Sequence, residues 1–99
     1  MIEELVYILG QNLDSIVLYG SYSRGEQTEN SDVDIAIILK NEIDKVTDII
    51  VDCVYKYELQ TGKIISVIDI NKNKFDEWHD IIPFYKNIMT DGIILWKSE

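Results

Sequence analysis

Two carboxylates, Asp32 and Asp34, stand two residues apart where the apolar run "DVDIAIIL" begins, and ten residues separate them from a Gly-Ser pair, Gly20-Ser21. On a strand, side chains at i and i+2 leave the same face, so both carboxylates share one patch of space. Like charges that close repel, and at least one pKa rises unless a cation bridges them. Mg2+ takes oxygen ligands and keeps waters and phosphate oxygens in its shell. Asp-x-Asp on a strand is thus a clamp for one or two such ions. The plainer reading makes Ser31-Asp32 a turn and Asp34 a solvated strand end.

Gly20 closes a second short apolar run, "SIVLYG". Without a Cβ it lets the chain bend sharply and lets a ligand approach the backbone. Ser21 is a good N-cap, and "SYSRG" can form one helical turn before Gly25 ends it. Backbone N–H groups exposed at such a start favour phosphate, and the Ser21 hydroxyl adds a donor. Alone, Gly-Ser after a strand is usually just a turn. Joined to Asp32 and Asp34 it becomes more specific. A nucleoside triphosphate with Mg2+ fits both halves, its terminal phosphates on the Gly20-Ser21 turn and its α-phosphate bridged by ions to the aspartates. Arg24 admits two readings, a phosphate-holding group or an ion pair with Asp32, Asp34 or Glu26. Lys63 is a phosphate ligand or simply solvated.

The elements that must position these residues are legible along the chain. In "EELVYILGQNL", Leu5, Ile8, Leu9 and Leu13 recur at helical spacing, and Asn12 and Asp14 end the helix. The runs at "SIVLYG" and Val33 to Leu39 read as buried strands. Ile43, Val46, Ile49, Ile50, Cys53, Val54 and Tyr57 predict a helix from Asn41 to Tyr57, stopped by "QTG". "KIISVIDIN" is a third strand. Pro83 divides "NKFDEWHDIIPFYKNIMTDG" into two short helices, and "IILW" supplies a last, edge strand. The fold class is α/β or α+β: a small sheet with helices covering at least one face.

Composition narrows the function. Ninety-nine residues suit one domain. A net charge of −9, from 18 acids against 9 bases, repels a nucleic-acid backbone, so direct nucleic-acid binding is not expected. A basic protein partner or a metal-bound anionic small molecule fits better. Neither a membrane span nor a signal peptide is read from the chain. The lone Cys53, inside a helical pattern, reads as a small buried hydrophobe, which agrees with a reducing cytoplasm. His79 has no second His or Cys near it and reads as a surface helix position. Trp78, Phe84, Tyr85 and Trp96 read as core or interface aromatics, and the edge strand "IILW" offers itself for pairing in a homo-oligomer.

The stretch "GSYSRGEQTENSDVDIAI", including Arg24, Gly25 and Ser31, resembles the signature of the minimal nucleotidyltransferases, a group of the polymerase-β-like superfamily. The first 40 residues carry the resemblance most strongly, and the tail is similar to stand-alone bacterial members. It implies a short mixed sheet with flanking helices, binding of ATP with Mg2+, and transfer of a nucleoside monophosphate to a hydroxyl as pyrophosphate leaves. It also implies a HEPN-domain partner, neutralised by AMP transfer or by binding. Catalytic roles fall on Asp32 and Asp34, and nucleotide-binding roles on Gly20, Ser21 and Arg24. The family's third carboxylate lies on the next strand, where the best register puts Ser66. Asp69, three residues on, joins the metal set with Asp32 and Asp34 only if a bulge or another register turns it round. An antitoxin-like binding module with a vestigial site is the alternative. A receiver-like phospho-acceptor domain is disfavoured because the Gly-Ser turn joins the first two strands directly.

Overall fold

The computed structural model describes residues 1–28 and 32–98. Helix α1 (Ile2–Leu9) leads through a short 3-10 turn into strand β1 (Leu13–Tyr19), followed by β2 (Val33–Leu39) and helix α2 (Val46–Thr61). Strand β3 (Ile65–Asn71), helices α3 (Lys72–Trp78) and α4 (Pro83–Asp91), and strand β4 (Ile93–Lys97) complete the chain. The strands form one sheet in the order β3-β2-β1-β4. β1 is antiparallel to β2 and β4, and β2 is parallel to β3. Parallel neighbours need a long crossover, which α2 provides. The result is the mixed sheet with flanking helices that the sequence implies.

Alternation along the strands sorts the core into two layers. Leu13, Ile16, Ile35, Ile37, Leu39 and Ile65 pack with Leu5 and Leu9 of α1 and Ile50, Cys53 and Val54 of α2. Val17, Ala36, Ile38 and Ile70 face the other way, under Phe75 of α3 and Ile88 of α4. β1 and β2 are central and covered on both faces, which is why they read as continuous apolar runs rather than alternating ones. Cys53 is buried, and burial, with Glu4 beside it, pushes its thiol pKa up, away from reactivity.

Local signals place the helix ends. Gly62 (φ 72°) donates its N–H to the Glu58 carbonyl at 2.8 Å and ends α2 in the left-handed conformation that favours glycine. The Asn71 side chain accepts from the Asn73 and Lys74 amides and starts α3. Pro83 occupies the first turn of α4, where its missing N–H costs nothing.

Some boundaries differ from the periodic pattern, among them the end of α2, which runs past Tyr57 to Thr61. α2 begins at Val46, not Asn41: Lys45 is left-handed (φ 57°), and the Val46 N–H closes a turn on the Ile43 carbonyl. Ile43 still packs against the core, so its helical spacing reflects burial rather than helix. Leu13, counted on the first helix, opens β1 instead, and Ile8 is exposed. No described helix is long and apolar enough to cross a membrane.

Candidate functional site

β1 delivers the chain to Gly20, and β2 carries Asp34 to the same end of the sheet, because Tyr19 and Asp34 are paired across the antiparallel ladder. Gly20 has φ 74°, and a Cβ built on it would collide with the Asp34 carboxylate, approaching its Cγ to 3.1 Å. Only glycine suits this position, for its backbone conformation and for its space. The turn and the acid are therefore in direct contact.

Beyond Gly20 the chain folds into a tight turn over residues 20–25. The Arg24 N–H donates to the Gly20 carbonyl (3.3 Å) and the Glu26 N–H to the Ser21 carbonyl (2.9 Å). The Ser23 hydroxyl also donates to the Gly20 carbonyl, at 2.9 Å. Among the described residues, the N–H groups of Ser21, Tyr22 and Ser23 have no acceptor. A row of unpaired amides at the start of a turn suits an anion, the chemistry expected of this turn. The side chain that braces the turn is that of Ser23, not Ser21.

The electrostatics join the two halves. Burial, then the like charge of Asp32, raise the Asp34 pKa above its ordinary value, and the Arg24 guanidinium pulls it part of the way back. Two acids pressing on one another beside free amides fit a divalent cation bound together with a polyanion. Among the described residues no group of three or more His, Cys, Asp or Glu side chains gathers to hold a metal. Among the described residues the site thus offers two carboxylates, and phosphate and water oxygens would complete the shell. Arg24 is paired with Glu26 (Nε to Oε1, 3.4 Å) on the surface. Exposed pairs of this kind are weak, so the guanidinium is available to an incoming phosphate.

Asp69 does not join the pair. In the parallel register Asp34 partners Ser66, while Asp69 partners Ile37. Ile37 belongs to the core layer under α1 and α2, so Asp69 leaves the sheet on that face and lines a groove along α2 with Thr47, Ile50 and Val54. No bulge interrupts the β2–β3 ladder to reverse it. The best sequence register, Ser66 in the acid's place, is the one the structure adopts. Ser31, part of the resembling stretch, lies outside the described residues.

Other residues fall out plainly. The Lys63 Nζ donates to the Tyr22 hydroxyl (3.3 Å) and sits 5.9 Å from its ring centroid, bracing the turn from the start of β3. His79 follows α3 rather than lying within it, with Nδ1 3.0 Å from the Asp80 carboxylate. Tyr19 escaped sequence reasoning. It partners Asp34, meets Phe84 edge-to-face at 5.5 Å, and has its phenol pKa raised by burial and by Asp34. Its position directly before Gly20, at the end of an apolar run, was the available signal.

A mixed sheet in which the glycine turn after β1 packs on Asp34 of β2, with Asp32 just before that strand, points to the class: a small domain of the nucleotidyltransferase type. The family model described as "Polymerase beta, Nucleotidyltransferase" matches residues 3–99, and the chain belongs to that family. A candidate protein adenylyltransferase of Methanocaldococcus jannaschii is 31% identical over 84 residues, 85% of this chain and 79% of that protein. A toxin–antitoxin complex crystallised with AMP-PNP contains a chain matching at TM-score 0.66 and 24% identity, over 99% of this chain and 72% of that one. A complex of tri-AMPylated Shewanella oneidensis HEPN toxin with MNT antitoxin matches at TM-score 0.57 and 20% identity, over 98% of this chain and 67% of that one. These two structural likenesses speak to the fold.

Proposed function

We propose that this chain is a Mg2+-dependent nucleotidyltransferase that moves AMP from ATP to a hydroxyl on a partner protein, with a HEPN-domain protein as that partner. One observation carries the reading: the Gly20 turn, with its free amides, packs directly on the Asp34 carboxylate. The amides of Ser21 to Ser23 and the Ser21 hydroxyl bind the terminal phosphates, and Arg24 holds a phosphate oxygen. Asp32 and Asp34 would hold Mg2+, which would supply charge compensation for the phosphates. The acceptor oxygen bonds to the α-phosphorus as the bond to the β-phosphate oxygen breaks, its proton goes to water, and pyrophosphate leaves. Positioning supplies much of the acceleration in such a transfer. The adenylyltransferase relative and the AMPylated HEPN complex support AMP as the group and a HEPN protein as the acceptor. The cytoplasm, where ATP is available, is the setting this reading requires.

The test is incubation with labelled ATP, Mg2+ and the HEPN partner. Label moves to the partner, and Asp32→Ala with Asp34→Ala lowers the rate by roughly 10²–10³-fold or more, as losing preorganised charge does. Label that stays on nucleotide with a native partner overturns the assignment. A second reading has one observation in its favour: Ser66, not an acid, stands beside Asp34. In it the acidic surface covers a basic partner without chemistry. Neutralisation that survives the double Asp→Ala variant selects it.

A further inference from the structure

Ser66 is the ladder partner of Asp34 across the parallel β2–β3 pair. Paired residues on neighbouring strands leave the same face, about 4.8 Å apart. Ser66 is exposed, and among the described residues its hydroxyl makes no hydrogen bond. Strand order supplies the direction. In β3-β2-β1-β4 the phosphate turn follows β1 on one side of Asp34, and Ser66 stands on β3 on the other. In-line displacement places the attacking oxygen opposite the leaving group. With pyrophosphate drawn toward the Gly20 turn, the Ser66 Oγ is on the attacking side.

Among the described residues named here, the other hydroxyls near the site are on the wrong side or are engaged. Ser21 belongs to the phosphate turn itself. Ser23 donates to the Gly20 carbonyl, and the Tyr22 hydroxyl accepts from Lys63. Tyr19 lies on β1 with its ring against Phe84.

We propose that Ser66 is itself an acceptor, and that the chain transfers one adenylyl group from ATP to its own Ser66 hydroxyl. This rests on the nucleotide reading of the Gly20–Asp34 site. The Oγ–Pα bond forms as the bond from Pα to the β-phosphate oxygen breaks, the hydroxyl proton passes to water, and pyrophosphate leaves. The attached nucleotide then stays beside the turn and Asp34 that delivered it. The reaction is self-limiting, and the modified chain neither admits fresh ATP nor serves an outside acceptor.

The full chain is incubated with ATP and Mg2+ without a partner, then read by intact mass, peptide mapping and calorimetry of Mg2+-dependent ATP uptake. The expected result is a gain of one adenylyl group on the peptide holding Ser66. Ser66→Ala loses the mark and Ser66→Thr, which keeps a hydroxyl on a strand, restores it. ATP uptake by treated wild-type protein falls in proportion to the fraction marked. An unchanged mass in protein that does bind ATP overturns the proposal and leaves the nucleotide site standing. So does a mark on Tyr19, Ser21 or any residue other than Ser66. Protein that takes up no ATP overturns both.

Discussion

The two faces of the sheet are built differently from the same strands. On the α1–α2 side, Leu5, Leu9, Leu13, Ile16 and Ile37 are at most 1% exposed and form a deep apolar layer. On the α3–α4 side the layer is thinner, with Val17, Ala36, Ile38 and Ile70 under Phe75 and Ile88, and Phe84 is left 39% exposed beside Tyr19. Both faces draw on β2, through Ile35, Ile37 and Leu39 toward one and Asp34, Ala36 and Ile38 toward the other. The thick face carries the deeper core, and the thin face leaves Asp34 partly exposed. A polar, mutually repelling pair is tolerated there because solvent still reaches it, and because stability comes from elsewhere.

That division can be broken from either side. The largest effect belongs to the thick face: Ile37→Ala, a truncation at a fully buried position, costs roughly 2–5 kcal/mol in denaturant unfolding. Mg2+-dependent ATP affinity per folded molecule stays unchanged. Gly20→Ala attacks the seam between turn and acid. It forces a side chain into a left-handed position and against Asp34, which costs about 1–3 kcal/mol and, in calorimetry, weakens ATP uptake as well.

The next prediction is a pH dependence on the thin face alone. Asp34 has a raised pKa in the folded chain, from burial first and then Asp32. Between its unfolded and folded pKa values the folded state holds the proton that the unfolded state has released. Stability therefore rises as pH falls through the folded pKa toward the unfolded one, and ionised Asp34 detracts from it above both. Asp34→Asn flattens this part of the pH–stability curve measured by denaturant unfolding. Mg2+-dependent ATP uptake by the wild-type protein runs the opposite way and weakens with acidification, because a protonated carboxyl is a poor ligand. The smallest effect distinguishes the faces by silence. Asp69→Asn, on the α2 side of an edge strand, changes stability by no more than about 0.5 kcal/mol and leaves Mg2+-dependent ATP uptake as it was. A loss of uptake in that variant would put Asp69 back in the site.

Much of the architecture is local and so was legible. The apolar runs at β1 and β2 declare strands covered on both sides, and Gly62 and Pro83 mark helix boundaries by their backbone chemistry alone. Helix α2 begins later than the apolar spacing suggests because the spacing of Ile43 is shared by a helix face and by a packed connection. Periodicity reports burial, and burial has more than one cause. Tyr19 was not legible because its place in the site comes from a cross-strand partner, Asp34, fifteen residues away in the chain.

The amino-acid sequence by itself determined the order of elements, and the pairing of a glycine turn with Asp32 and Asp34, because both depend on residue type and short spacing. The sequence register already favours Ser66 beside Asp34, and tertiary structure excludes the alternative, Asp69, which needed a bulge that the β2–β3 ladder does not have. Register between parallel strands is set by which side chains fill the core across a long crossover, and a shift by an odd number of residues moves a carboxylate to the opposite face of the sheet.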